Sequence, residues 1–188
     1  FNTQKIMGIL NLSKDSFYDG GKYSSLEEVI FRVSEMIDQG AEIIDIGAVS
    51  SRPGSKIIKG EDELKLIKDY IIELTSNFKN ISFSIDTYNS IVADFALKNG
   101  FNIINDIFGG SENKMFKVAK EYDVPIIIMH MKGNPKTMQK NIKNKDIVVE
   151  IIEFFNERVN SAQNFGINSN NIILDPGIGF GKSFSDND

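Results

Sequence analysis

Five short apolar runs of this chain end on carboxylate or amide side chains and then enter loops rich in glycine, proline and serine. The runs close at Asn11, at Asp45, at Asp86, at Asn105 with Asp106, and at Asp175. Burying a polar group costs free energy, so a buried strand has no use for one unless that end borders a site. Acidic and amide residues at the ends of successive strands therefore predict a binding site for a small polar ligand with hydrogen-bond donor groups at one end.

Asp86 and Asp175 are the leading candidates for contacts with that ligand. A carboxylate accepts two parallel hydrogen bonds from an amidine-like edge, which is a strong and directional arrangement. Either residue alone fits equally well as the N-cap of the helix after a strand. Together with Asn105, the two carboxylates favour binding of a flat heterocycle that carries an amidine or guanidine-like edge.

Two loops on the same side carry groups suited to an anion. Asn11 opens the first loop, where its amide oxygen fits a Mg²⁺ ion shared with phosphate or, alternatively, an Asx-turn. The second loop contains Ser51, Arg52 and Pro53, and an arginine held between serine and Pro-Gly favours an anion contact over simple solvation. Phe17, in the first loop, either anchors that loop or covers a bound aromatic ring.

The cysteine and histidine content and one glycine-rich segment exclude several kinds of metal and phosphate site. The chain has no cysteine and a single histidine, His130, which excludes zinc–cysteine, iron–sulfur and multi-histidine metal centres. His130 stands between two methionines, and packing is favoured over catalysis. The glycine-rich segment 177–183 resembles a phosphate loop, but Pro176 stands where the Walker A pattern requires glycine.

The elements that must position these residues alternate between strand and helix. Apolar, β-branched runs predict parallel strands buried on both faces at Ile6–Leu10, Ile43–Ile46, Ile81–Ile85, Asn102–Ile107, Pro125–Met129 and Asn171–Leu174. Helical periodicity predicts Leu26–Gln39, Glu61–Asn77, Ser90–Asn99, Asn113–Tyr122 and Ile147–Phe165. Ser25 and Glu28 form a capping box, and Gly40, Gly100 and Gly166 mark helix ends.

This alternation predicts an α/β fold, a (β/α)8 TIM barrel with its active site at the carboxyl ends of the strands. The segments 40–45 and 100–105 repeat one register from helix end to strand end, as expected of a repeated βα unit. A complete barrel needs about 250 residues. We therefore expect residues 1–188 to form an incomplete barrel domain without the last two βα units, the alternative being an open sheet.

Composition excludes several function classes. The net charge of −5, without a basic block, gives no reason to expect nucleic acid as a partner. No apolar run approaches the roughly 20 residues that span a bilayer, so no membrane partner is expected either. The absence of cysteine fits a cytoplasmic location. Small molecules are the expected partners.

The motifs, taken in order, resemble those of the dihydropteroate synthases. The matching segments are 6–11, 15–21, 50–53, 84–87, 104–106, 129–138 and 174–182. The segment that starts at Met129 is the most specific, because it separates the synthases from pterin-dependent methyltransferases that share the barrel. The resemblance implies condensation of 7,8-dihydropterin-6-ylmethyl diphosphate with 4-aminobenzoate, with diphosphate leaving before the amine attacks.

The resemblance also implies roles for individual residues. It assigns pterin binding to Asp86, Asn105 and Asp175, Mg²⁺ binding to Asn11, and closure over 4-aminobenzoate and diphosphate to Phe17, Ser51, Arg52 and Pro53. Asn11, Arg52 and Asp86 would be the catalytic residues. The parent would be a cytoplasmic homodimer and a sulfonamide target.

Two departures from the family pattern affect these expectations. Val49 stands where the family usually has glutamate, and the later Ser-Arg-Lys and Arg-x-His motifs do not occur in the 188 residues. We therefore expect an active parent enzyme and little or no activity from this piece alone. A pterin-dependent methyltransferase domain and a non-catalytic pterin-binding remnant are the alternatives.

Overall fold

The computed structural model describes residues 4–12, 25–49, 57–131, 146–180 and 182. Within these ranges strands and helices alternate strictly, with one short 3₁₀ helix, Ser169–Asn171, before the last strand. The strands are β1 (Met7–Asn11), β2 (Ile43–Gly47), β3 (Ser82–Asp86), β4 (Ile103–Asp106), β5 (Ile126–Met129) and β6 (Ile172–Asp175). The helices are α1 (Leu26–Asp38), α2 (Gly60–Asn77), α3 (Ser90–Lys98), α4 (Asn113–Tyr122) and α5 (Ile147–Asn164).

Every one of these bounds lies within one residue of the prediction, because local chemistry sets the helix ends. Glu28 N–H donates to Ser25 Oγ at 3.3 Å while Ser25 N–H donates to the Glu28 carboxylate at 3.2 Å, which completes the predicted capping box. Gly40, Gly100 and Gly166 follow α1, α3 and α5 with φ of 99°, 103° and 87°, a conformation that favours glycine.

The six strands form one parallel sheet in the order β1-β2-β3-β4-β5-β6. Each strand therefore pairs with its neighbours in the sequence, as in the winding of a βα barrel. A doubly wound sheet would instead reverse direction at a switch point. Among the described residues, β1 pairs with β2 alone and β6 with β5 alone.

The sheet buries apolar side chains on both faces, as predicted for parallel strands. On one face Ile44, Phe83, Ile85 and Ile104 pack against the helices and are at most 1% exposed. On the opposite face, the one that faces the barrel interior, a separate apolar cluster forms the floor. It consists of Met7, Ile43, Ile103, Ile127 and Ile173.

Toward the carboxyl ends of the strands, the side chains on the interior face become polar. Asp45 lies two residues beyond Ile43 of the floor, and Ser84 is its register partner on β3. Asp86 lies two residues beyond Ser84, and it pairs with Asn105 on β4. The sheet thus changes from apolar to polar along its interior face, which places a polar site at the edge that barrels use for catalysis. In the described part of the chain, no helix combines the length and hydrophobicity needed to cross a membrane.

Candidate functional site

Strand register brings four of the strand-end residues into one row. Asn11 pairs with Gly47, Gly47 with Asp86, and Asp86 with Asn105. All four residues occupy alternate positions that face the barrel interior. The structure therefore places the predicted residues Asn11, Asp86 and Asn105 at one edge of the sheet, with a glycine between the first two.

Gly47 gives the Asp86 carboxylate its space, a role that the sequence analysis missed. A Cβ atom at Gly47 would lie 3.0 Å from Asp86 Oδ2 and 3.2 Å from Asp86 Cβ. A side chain at this position would therefore require Asp86 to shift by a few tenths of an ångström. The available signal was a glycine at the end of an otherwise β-branched run, since glycine inside a strand marks close approach of another group.

Asp45 forms the layer beneath this row and is joined to it by a hydrogen bond. Asn105 Nδ2 donates to Asp45 Oδ2 at 3.0 Å. Asp45 is only 3% exposed. Burial raises the pKa of Asp45 from 3.8 to about 6, and the nearby Ser84 hydroxyl and Asn105 amide oppose that shift. Asp45 Oδ1 and Ser84 Oγ have no hydrogen-bond partner among the described residues.

The pKa of Asp86 is raised well above its usual value. Burial is the main cause, followed by the negative charges of Asp45, Glu63 and Asp106. Several carboxyl groups thus share a poorly solvated space in which each ionisation hinders the next. A ligand that donates N–H groups or carries positive charge relieves this cost, so the arrangement favours such ligands.

Asp106 is separated from Asn105 by the pleat of β4, and it has a different role. Its carboxylate accepts hydrogen bonds from the backbone N–H groups of Phe108 at 2.8 Å and Gly110 at 2.9 Å. Burial raises the pKa of Asp106 to about 6, and these two N–H groups oppose the shift. Asp106 therefore stabilises the turn before α4, and Asn105 alone faces the site from this strand.

Asp175 ends β6 one layer closer to the rim, where it pairs with Met129. Its carboxylate accepts a hydrogen bond from Gly177 N–H at 2.8 Å, which makes an Asx-turn and not the N-cap of a helix. Among the described residues, no hydrogen bond links Asp175 to Asp86 or Asn105. A ligand that contacts all three must therefore extend across β3, β4 and β6.

Lys182 holds the loop after β6 against the end of β5. Its ammonium group donates to the carbonyl oxygens of Gly177 at 2.8 Å, His130 at 3.3 Å and Phe180 at 3.3 Å. His130 itself is 2% exposed and packs edge-on against Phe154, with ring centroids 5.1 Å apart. This burial agrees with the packing role predicted for His130.

A second residue that the sequence analysis missed is Glu63, on α2. It is completely buried, and its carboxylate accepts hydrogen bonds from Thr87 Oγ1 at 2.9 Å and Asn89 Nδ2 at 2.6 Å. Burial raises the pKa of Glu63, and the two hydrogen bonds oppose the shift. Glu63 thereby ties α2 to the segment directly after Asp86. A lone glutamate in a helical pattern gives no signal for such a role.

The remaining predicted residues divide into two groups. Asn11 and Val49 lie within the described part of the chain and are partly buried. Phe17, Ser51, Arg52 and Pro53 lie outside the described residues. Within the described ranges, no group of three or more histidine, cysteine, aspartate or glutamate side chains is arranged to hold a metal ion.

A cavity of about 320 Å³ lies at the carboxyl ends of β4 and β5. Its lining is apolar apart from Ser111 and comprises Ile57, Ile107, Phe108, Met129, Met131 and Phe154. Among the described residues, no carboxylate lines the cavity, so this part of the lining does not match a heterocycle rich in N–H donors. The carboxylate and amide row is the better candidate for the polar part of the ligand.

Comparison with known proteins identifies relatives of this site. The model of the family described as pterin binding enzyme matches residues 7–188. The dihydropteroate synthase of Clostridium beijerinckii is 43% identical over 183 residues, which cover 97% of this chain and 65% of that protein. The chain thus spans less than two thirds of that relative's length.

Solved structures give the same result. The structure of Yersinia pestis dihydropteroate synthase with a sulfonamide drug complex matches 97% of this chain and 66% of that chain, with 34% identity and a TM-score of 0.92. The Clostridium difficile dihydropteroate synthase in the presence of pteroic acid matches 99% of this chain and 68% of that chain, with 38% identity and a TM-score of 0.86.

Proposed function

The chain belongs to the pterin-binding enzyme family, among the dihydropteroate synthases, and we propose that the protein carrying it condenses 7,8-dihydropterin-6-ylmethyl diphosphate with 4-aminobenzoate. The products are dihydropteroate and diphosphate, in folate biosynthesis. The chain spans 65% of its Clostridium beijerinckii relative, so the activity is proposed for the whole protein that contains it.

The observation that carries this proposal is the pairing of Asp86 with Asn105 above Asp45. A dihydropterin presents an amino group and ring N–H groups along one edge. Poorly solvated carboxylates with raised pKa values gain most from such donors, because charge-assisted hydrogen bonds are stronger than neutral ones. We assign pterin binding to Asp86, Asn105 and Asp175.

The same carboxylates suit the proposed dissociative reaction. The bond between the methylene carbon and the diphosphate oxygen breaks first, and its electron pair leaves with the diphosphate. Asp86 and Asp45 stabilise the resulting pterin methylene cation electrostatically. The amine of 4-aminobenzoate then forms the carbon–nitrogen bond and loses its proton to solvent, so no strong protein base is required.

Asn11 is the residue that fits Mg²⁺ in the described part of the chain. Its amide stands at the end of β1, in the same row as Asp86. Mg²⁺ prefers oxygen ligands and is commonly held by few protein groups together with phosphate and water. Asn11 would hold the ion, which when bound would offset the negative charge of the diphosphate.

The loop residues complete the proposed site. Phe17, Ser51, Arg52 and Pro53 would contact 4-aminobenzoate and the diphosphate, with Arg52 as the anion ligand and, with Asn11 and Asp86, a catalytic residue. The parent would be a homodimer that acts in the cytoplasm, with small molecules as its substrates. The structure of a relative with a sulfonamide drug supports sulfonamide binding at this site.

The test uses the gene product that carries this chain, with product formation and dihydropterin binding measured in parallel. We expect Mg²⁺-dependent turnover, and we expect Asp86→Asn and Asp175→Asn to weaken pterin binding roughly 10- to 100-fold through the loss of charge-assisted hydrogen bonds. Asp69→Asn, on the exposed side of α2, is the matched control and should not change binding. A folded protein that neither binds pterin nor forms product would overturn the proposal.

A further inference from the structure

We infer that Asp45 is a positioning residue of the pterin site: its carboxylate fixes the Asn105 amide with the NH₂ group toward the barrel interior and the carbonyl oxygen toward the ligand. The identity of the ligand rests on the proposed function. The inference deepens that function by assigning Asn105 the role of a hydrogen-bond acceptor for the pterin.

The contact joins residues on strands that are not adjacent. Asn105 on β4 donates through Nδ2 to Asp45 Oδ2 on β2 at 3.0 Å. Asp45 pairs with Ser84, and Ser84 pairs with Ile103, two residues before Asn105. Asp45 therefore lies one layer deeper in the interior than Asn105. An amide whose nitrogen faces this deeper layer turns its oxygen away from it, toward the open end of the strands.

The chemistry of the pair allows only this orientation while Asp45 is ionised. A carboxylate can accept hydrogen bonds but cannot donate them, whereas a side-chain amide has a carbonyl oxygen that accepts and an NH₂ group that donates. Rotation of the Asn105 amide would set its oxygen against the Asp45 carboxylate. Asp45 is 3% exposed, and its other carboxylate oxygen has no partner among the described residues. The Ser84 hydroxyl lies near enough to oppose the rise in the Asp45 pKa, but among the described residues it is Asn105 Nδ2 that donates a hydrogen bond to this carboxylate.

This orientation has a consequence for specificity. With the Asn105 oxygen turned outward, Asp86, Asn105 and Asp175 all present acceptors to the ligand. The ligand groups that face these three side chains must then be N–H donors. A ring nitrogen with a lone pair opposite Asn105 leaves two acceptors facing each other, and sites that bury unpaired polar groups discriminate strongly against such ligands.

An exchange of the two side chains tests the inference. We compare the parent protein with Asp45→Asn, Asn105→Asp and the double variant, and measure dihydropterin binding by calorimetry and thermal unfolding midpoints. Asn105→Asp alone sets two carboxylates against each other, and we expect binding about 100-fold weaker and a lower midpoint. Asp45→Asn alone removes the fixed acceptor, and we expect binding about 10-fold weaker.

The double variant distinguishes a positioning role from a purely structural one. Its amide at position 45 can donate to its carboxylate at position 105, which still offers an outward oxygen. We expect the unfolding midpoint to recover and the dissociation constant to return to within about fivefold of the parent value. Recovery of the midpoint without recovery of binding would overturn the inference, because Asn105 would then donate to the ligand.

A second readout does not depend on pterin. In the parent protein, the side-chain amide protons of Asn105 should exchange slowly with solvent by NMR, and Asp45→Ala should make their exchange at least about tenfold faster. Unchanged exchange in a folded Asp45→Ala variant would overturn the inference. Slow, Asp45-dependent exchange in a protein that binds no pterin would support the inference while the proposed function fails.

Discussion

At the scale of single residues, the buried carboxylates have distinct structural tasks. Asp106 accepts two backbone N–H groups and holds a turn, while Glu63 accepts from Thr87 and Asn89 and holds α2 against the segment after β3. Asp86 has neither kind of contact among the described residues and faces the site. The difference lies in the partners and in exposure, since Asp106 and Glu63 are at most 1% exposed whereas Asp86 is partly exposed.

The role of Glu63 leads to a stability prediction. Glu63→Leu leaves the Thr87 and Asn89 donors without their acceptor, and we expect the free energy of unfolding to fall by about 2–3 kcal/mol, the cost of unpaired buried polar groups. The measurement is urea unfolding. Glu61→Leu, an exposed position in the same helical turn, should change stability by less than about 0.5 kcal/mol. Equal effects of the two substitutions would contradict the assigned role.

At the scale of elements, the end of β6 depends on close contact with the end of β5. Gly177 has a φ of 64°, and a Cβ atom there would lie 2.1 Å from the carbonyl oxygen of His130. The same glycine donates to Asp175 and accepts from Lys182. The position of Asp175 is therefore set by how closely two backbones approach.

The neighbouring Gly179 provides a matched control for a test of this contact. Gly179 has a φ of 83°, but a Cβ atom there would meet no atom of the described residues within 4 Å. Both Gly→Ala substitutions carry the left-handed strain of about 1–2 kcal/mol, whereas only Gly177→Ala adds a backbone clash. We expect Gly177→Ala to lower the free energy of unfolding by about 2 kcal/mol more than Gly179→Ala.

Gly177→Ala should also affect pterin binding more than Gly179→Ala does. Gly177→Ala should weaken binding because it displaces Asp175, while Gly179→Ala should leave binding nearly unchanged. Similar unfolding midpoints and similar affinities for the two variants would show that the approach of β6 to β5 does not position the site.

At the scale of the whole molecule, the interior carboxyl groups predict how stability depends on pH. Burial raises the pKa of both Asp45 and Asp106 from 3.8 to about 6. Between these values the folded protein binds more protons than the unfolded chain, so these groups make the free energy of unfolding fall as pH rises from about 4 to about 6. Each contributes at most roughly 3 kcal/mol, at 1.36 kcal/mol per pKa unit.

Urea unfolding at intervals from pH 4 to pH 7 measures this dependence. The parent protein should lose stability across the window, and Asp45→Asn should make the curve less steep because it removes one of the carboxyl groups whose pKa is raised. A parent curve that stays level or rises between pH 4 and pH 6 would show that these carboxyl groups are ionised in the folded protein at lower pH than we expect.

Local sequence patterns were enough to predict the helices, the strands and the kind of site. Helix ends are local events, so Ser25, Gly40 and Gly100 fixed them without knowledge of the rest of the chain. Strands buried on both faces show as unbroken apolar runs, and the polar residues at their ends indicated that the site binds a polar ligand. The family resemblance added the substrates, which neither composition nor periodicity supplies.

Which polar groups contact one another depends on the tertiary structure. Asn105 and Asp106 are both polar residues at the end of an apolar run, and the sequence does not distinguish their roles. Because side chains alternate along β4, Asn105 faces the site and Asp106 faces the turn before α4. Asp45 and Asn105 are 60 residues apart, and Lys182 reaches His130 across 52 residues. These contacts depend on strand order and register, which are set by packing of the whole sheet, and no local pattern encodes them.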